Sequence, residues 1–314
     1  MLSRRLLRIK VVKALYAHFK SESDSLIVSE KNLNFSIDKT YQLYHLLLEL
    51  IVDVRQYAAR KAELGRQKLL PTPEDLNPNL KFVRNRAVER IAESEELKRY
   101  LEAHSLSWSN YPELIRKLYQ NMTGREYYTE YMNNGKDSFT EDVKFLMNFF
   151  TSEVEDFDPL YDILEEQSIY WADDVEFALI MVVRTLHGMK EKEPQLRLLP
   201  RFKNEDDRKF AGELFRNALV NHRKYSEYID THTRNWDLER IAYMDRVIML
   251  APIAELLSCP TIPVKVTLDE YIEIAKYYST PASSTFINGV LDKIVEKLRA
   301  DGMIDKQGRG LVES

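Results

Sequence analysis

Apolar residues recur along this chain every three or four positions, with no convincing run of strict alternation. That spacing lines one face of an α-helix, whereas a half-buried strand would alternate. Residues 41–64 show it most clearly, through Leu43, Leu46, Leu47, Leu50, Ile51 and Val54. Residues 175–189 carry Phe177, Ala178, Ile180, Met181, Val182, Val183 and Leu186 with little polar surface, which predicts a buried helix. Residues 82–103 read as a basic-then-acidic helical stretch and residues 139–170 as an acidic, aromatic-rich region, and from Glu205 onward the helical spacing becomes regular again.

In the last third, Asn235-Trp236-Asp237-Leu238-Glu239-Arg240 opens a helix that runs through Ile241, Met244 and Ile248 to Glu255-Leu256-Leu257. Pro252 is expected to kink or re-route it. Residues 265–278 form the next helix, with Val266, Ile272, Ile274 and Ala275 toward a core. Thr280-Pro281 then supplies an N-cap and a first-turn proline for a final helix containing Phe286. Gly289 inside that helix costs roughly 1 kcal/mol relative to alanine, so a close helix–helix contact is expected there. Breaks fall at the proline-rich residues 71–78, at Asn133-Asn134-Gly135, between Pro194 and Pro200, and at Pro260-Thr261-Ile262-Pro263. There is no internal repeat and no low-complexity tract.

Composition agrees with an all-α protein. The chain has 314 residues, enough for two domains, and it is 44% hydrophobic and 30% charged with only 9 glycines. No apolar run approaches the length that spans a bilayer. The single cysteine, Cys259, precludes an internal disulfide and a cysteine metal cluster, so a reducing, cytoplasmic setting is expected. Pro260 beside it places the thiol in a loop between helices.

Charge adds a second feature. The first twenty residues hold Arg4, Arg5, Arg8, Lys10, Lys13 and Lys20 and no acid, in a chain of formal net charge -5. Without those six cations the rest carries about -11. On a helical projection Ile9, Val12, Leu15, Tyr16 and Phe19 share one face, while Lys10, Lys13 and Lys20 lie opposite. Arg4, Arg5 and Arg8 project to the apolar side one to two turns nearer the helix start, and are expected to overhang the end of the core. Guanidinium forks there, with the free N–H groups of a helix start, suit a polyanion. Nucleic acid, an anionic membrane surface and an acidic protein all fit, as does a solvated, frayed terminus. The cations at 8, 10 and 13 interrupt the apolar stretch a secretory signal needs.

Nothing in the sequence makes a positive case for an enzyme, a cofactor or a metal. The glycines form no phosphate-cradling loop, and His18, His45, His104, His187, His222 and His232 show no metal-ligand spacing. Asp173-Asp174 beside Trp171 has the chemistry of a metal ligand pair, but acids at a helix start explain it more simply. Phe286, taken alone, reads as a core aromatic.

One ordered set of motifs goes further. Phe286-Ile287-Asn288-Gly289-Val290-Leu291-Asp292 closely matches the Phe-Val-Asn-Gly-Val-Leu-Asp of the last helix in the bacterial NusB family of transcription antitermination factors. Lys265-Val266-Thr267-Leu268-Asp269-Glu270 loosely resembles the preceding helix of that family. At the other end, Arg4-Arg5-Leu6-Leu7-Arg8 keeps the family's Arg-Arg-x-x-Arg and Ala14-Leu15-Tyr16 its Ala-Leu-Tyr. The resemblance covers roughly the first 20 and last 110 residues. It divides the chain into 1–40 (arginine-rich first helix), 41–204 (helical insertion), 205–300 (C-terminal helical core) and 301–314 (flexible tail).

This resemblance implies an all-α fold of two small helical bundles without catalytic activity. It implies RNA binding at boxA-type elements of ribosomal RNA transcripts, jointly with the NusE ribosomal protein, within an RNA polymerase antitermination complex. Carried over by position, Arg4, Arg5, Arg8, Tyr16 and Phe286 are the expected RNA contacts, and Asp245 and Arg246 the expected protein-partner contacts. Leu250, Pro252, Ala254 and Ala282 depart from the family pattern near the expected partner surface. Two alternatives stand beside this. One is a helical interaction module that keeps the fold without specific RNA binding. The other is the NusB-like front of an rRNA cytosine methyltransferase, whose Gly-rich cofactor domain and catalytic cysteines this chain lacks.

Overall fold

The computed structural model describes residues 1–21, 25–233 and 241–311. Among them are fifteen α-helices and no strand. They are α1 (Arg4–Lys20), α2 (Leu26–Arg66), α3 (Pro73–Leu76), α4 (Arg86–Ala92), α5 (Glu95–Ala103), α6 (Pro112–Thr123), α7 (Glu126–Asn133), α8 (Phe139–Phe149), α9 (Asp158–Gln167), α10 (Val175–His187), α11 (Glu205–Val220), α12 (His222–His232), α13 (Tyr243–Ser258), α14 (Val264–Tyr278) and α15 (Ser283–Ala300). The helices form two compact units, one of Met1 with residues 38–201 and one of residues 2–37 with 202–314.

In the first unit the later part of α2 is the central element. Leu43, Leu46, Leu47, Leu50, Ile51 and Val54 are fully buried, and so are Tyr44 and Leu48 on other faces. Two tryptophans fasten their indole N–H groups to carbonyls of this helix: Trp108 donates to Leu46 at 2.8 Å and Trp171 to Lys39 at 2.7 Å. The predicted 82–103 helix is two helices, because Ser94 accepts a hydrogen bond from the Leu97 amide and starts a new one. α5 ends with Ser105 at φ 52, and the Ser105 and Leu106 amides close back onto Glu102 and Leu101 in a Schellman turn. α8 runs on into a π-helical turn, Phe150–Val154. α10 is less enclosed than its composition suggests, since Ile180 is exposed. Asp174 precedes α10 with its carboxylate accepting from the Thr40 hydroxyl, and among the described residues no cluster of His, Cys, Asp and Glu could hold a metal ion.

In the second unit α13 is the hub, packed against α1, α11, α12, α14 and α15. Its stretch from Val247 to Leu256 is buried on every side, Pro252 included, and the helix passes through the proline without a break. The expected opening of this helix at Asn235–Arg240 lies outside the described residues. α14 turns Thr267, Tyr271, Ile274 and Ala275 inward, while Val266 faces out, contrary to expectation. α15 begins at Ser283, two residues later than expected, because Thr280 to Ser283 form a turn with Pro281 at its second position. Gly289 is exposed with open space where a side chain would sit, so no helix packs closely there.

Residues 301–311 depart from a flexible tail. Gly302, at φ 65, ends α15 and reverses the chain. Lys306 donates to the carbonyls of Leu256 and Cys259 at 3.1 Å each, satisfying the end of α13, and the Gln307 amide bonds the Pro260 carbonyl at 3.0 Å. Gly310 is buried so tightly that a Cβ would lie 2.0 Å from that same carbonyl oxygen. Among the described residues no helix is long and apolar enough to cross a membrane.

Candidate nucleic-acid interface

α1 forms because Ser3 caps it, its hydroxyl accepting from the Leu6 amide, and because Leu6, Leu7, Val11, Val12 and Leu15 bury against α11, α13 and α14. Burial on that scale also fixes where its arginines go. Arg8 does not overhang the core. Its side chain is 3% exposed and forms a two-pronged pair with Glu255, both bonds 2.8 Å, and the Glu255 side chain is 0% exposed. Glu255 also accepts from Thr267 at 2.9 Å and Tyr271 at 3.2 Å. Burial acts to lower the Arg8 pKa, but the hydrogen bonds and charge of Glu255 outweigh it and hold the guanidinium protonated. The Tyr271 hydroxyl is driven well above its usual range by burial and by Glu255.

Arg4 and Arg5 lie nearer the surface, and each has an acidic partner within the unit. Arg4 donates to Asp207 at 2.7 Å, with its guanidinium 5.2 Å from the Phe210 ring centroid. Arg5 spans both oxygens of Glu270 at 2.9 and 3.2 Å, with about half its side chain exposed.

Two turns further along α1 the surface changes character. Tyr16 packs edge-on against Tyr243 at 5.7 Å, and the Lys20 ammonium sits over the same Tyr243 ring at 4.4 Å. Lys13 lies over Tyr278 at 4.9 Å, and neighbouring Tyr277 is 79% exposed. Lysine over an aromatic ring is a favourable pairing. The sequence named Tyr16 but not Tyr243, Tyr277 or Tyr278. Their signal was available as aromatics at helix ends beside a cationic helix.

Asp245 is buried and accepts from Ser279 and, at 2.9 Å, from Ser283, tying the start of α13 to the start of α15. It therefore presents no open carboxylate. Arg246 pairs with Asp230 at the surface. Phe286 is half-buried one turn past Ser283. Leu250, Pro252 and Ala254 are core residues rather than surface ones, which accounts for an apolar residue at 250. Ala282 is exposed. Tyr16 thus meets Tyr243 between α1 and α13, and Ser283 meets Asp245 between α15 and α13.

The model of the NusB family matches residues 177–296. The match begins inside the stretch assigned to the insertion from sequence, and α1 lies outside it. A transcription antitermination protein NusB of Salinibacter ruber is 41% identical over 138 residues, covering 42% of this chain and 86% of that protein. The chain belongs to the NusB family. NusB proteins of Chloroherpeton thalassium and Koribacter versatilis are 39% and 38% identical over 104 and 97 residues. Those alignments cover 33% and 31% of this chain, and 49% and 66% of the two NusB proteins. No solved structure matches the chain. Among these NusB relatives the shared length is well short of 314 residues.

Proposed function

We propose that this protein is a transcription antitermination factor that binds single-stranded boxA-type RNA of ribosomal transcripts, together with the NusE ribosomal protein, in an RNA polymerase complex. The role is binding rather than catalysis. The observation that carries it is the group of aromatics and cations at the second half of α1, where Tyr16 and Lys20 meet Tyr243 and Lys13 meets Tyr278, with Tyr277 exposed next to it in the chain. Single-stranded RNA is held by stacking of its bases on aromatic rings and by cations along its phosphates, and this face supplies both.

In this proposal Tyr16 and Phe286 contact bases and Lys13, Lys20, Arg4 and Arg5 contact phosphates. Arg8 acts as a positioning residue that seats α1 on α13 and α14. Arg246 lies on the side offered to the ribosomal protein, and Asp245 shapes that side through Ser279 and Ser283. The test is RNA affinity against salt for a boxA-like RNA and a scrambled control, with and without NusE. Tyr16→Ala and Phe286→Ala are each expected to lower affinity by about 1–3 kcal/mol with unchanged melting. Each lysine removed should flatten the log–log salt slope by about 0.7. Equal affinity for both RNAs, indifferent to NusE and to these substitutions, would overturn the proposal.

A further inference from the structure

Gly289 stands inside α15, and nothing within the protein calls for a glycine there. Its backbone is not in the left-handed region, which among the described glycines is taken by Gly135, Gly302 and Gly308. It is exposed, and a Cβ built on it would meet no atom within 4 Å. Alanine would therefore fit without strain and would favour the helix. A glycine on an open helix surface bares the backbone, so the close approach it permits is by something outside the chain.

The residues around it on α15 define the visitor. On the helical repeat Phe286, Gly289 and Lys293 fall within an arc of about 60°, while Ile287, Val290, Leu291 and Ile294 are buried on the other side. Phe286 is half-buried at the border of the core. Lys293 is exposed with no carboxylate partner among the described residues, whereas Lys297 is held by Asp301 at 2.8 Å. Asp292, beside Lys293, accepts from the Asn288 amide group at 3.3 Å. The stripe thus runs aromatic, bare backbone, cation, over roughly 10 Å of helix. That order suits a single strand of RNA, with a base on the aromatic ring, a sugar against the open backbone and a phosphate on the lysine. A packed protein helix would want an apolar surround, but Thr285, Asp292, Lys293 and Glu296 are polar and exposed.

We propose that Gly289 is a steric determinant of RNA binding, its missing side chain letting the strand cross α15 against the helix backbone between a base on Phe286 and a phosphate on Lys293. This path rests on the RNA-binding role proposed for α1 and carries it onto α15. The experiment compares full-length wild type, Gly289→Ala, Gly289→Leu, Lys293→Gln and Tyr16→Ala by melting and by affinity for a boxA-like RNA over a range of salt. Gly289→Ala should raise the melting temperature by about 2–4 °C yet weaken RNA binding at least about 5-fold, the effect of forcing a methyl group into a close contact. Gly289→Leu should weaken binding further and still fold, because the site is open in the free protein. Lys293→Gln should flatten the log–log salt slope by about 0.7. If Tyr16→Ala weakens binding while both Gly289 variants stay within about twofold of the wild type, the path over α15 is overturned and the RNA-binding role of α1 stands. If the Gly289 variants instead lose only the NusE-type ribosomal protein, the path is overturned in favour of a protein contact. A wild type that does not bind the RNA overturns both the role and the path.

Discussion

Replacing Arg8 by alanine separates structure from recognition more sharply than any other change to this protein. The guanidinium lies in a buried pair with Glu255, and truncation leaves a carboxylate with no exposure and no cation. The Thr267 and Tyr271 hydroxyls still donate to it, but two neutral donors do not balance a buried charge. Breaking such a pair from one side costs about 3–5 kcal/mol. In a unit of this size each kcal/mol lowers the melting temperature by about 2–4 °C, so a fall of roughly 10 °C is expected. Urea unfolding followed by circular dichroism gives the free energy directly. Removing the charge from both sides, as Arg8→Met with Glu255→Leu, should recover most of the loss, because apolar side chains of similar volume fill the site without desolvating ions. Arg5→Ala, whose partner pair is half in solvent, should cost under about 1 kcal/mol. If Arg8→Ala unfolds within 1 kcal/mol (about the spread of a surface pair) of the wild type, or the double variant is no better than the single, the assignment of Arg8 to the core is wrong. Any RNA-binding defect of Arg8→Ala must then be read at a temperature where the variant is folded.

Two further outcomes follow from geometry. Gly310→Ala places a Cβ 2.0 Å from the Pro260 carbonyl oxygen, so residues 303–311 should detach, with a stability loss of about 1–2 kcal/mol and rapid proteolysis at the C-terminal end. Burial raises the Glu49 pKa from 4.5 to about 7, with the charge of Asp53 adding to it. A raised folded pKa means the group favours folding below its unfolded value and loses that contribution as pH climbs toward 7. In dilute solution Glu49→Gln should therefore be more stable than the wild type at about pH 8 by about 2 kcal/mol, after allowing for solvent screening, and the gap should close at about pH 4. An equal gap at both pH values would show that the effect is packing rather than charge.

How far sequence alone reaches is visible residue by residue. The later half of α2 was legible because leucines at helical spacing are unambiguous. Its first half was not, since Ile27, Val28 and Phe35 face solvent while Ser29 and Ser36 are buried, inverting the usual signal. The side on which Arg4, Arg5 and Arg8 project was readable from the helical repeat. Their depth was not, because it is set by Asp207, Glu270 and Glu255, which are more than 200 residues away in the chain. A hint did exist in Glu255 itself, a lone acid in an apolar run, which implies a buried cation somewhere else. Pro252 does not end α13, which continues through it as one helix enclosed by its neighbours.

The pairing of Arg4 and Arg5 with Asp207 and Glu270 alters how a polyanion meets this face. In the proposed RNA-binding role those two carboxylates compete with phosphates for Arg4 and Arg5, so an incoming strand would exchange with an anion the protein already carries. Such an exchange liberates few condensed counterions, and the salt dependence falls below what a tally of basic residues implies. It also acts as a threshold. On the proposed function, weak, non-specific strands would gain too little to displace the resident acids, while a strand that stacks on the tyrosines would gain enough. Under that proposal the acidic balance of the chain would act as a filter on the ligands of its cationic first helix.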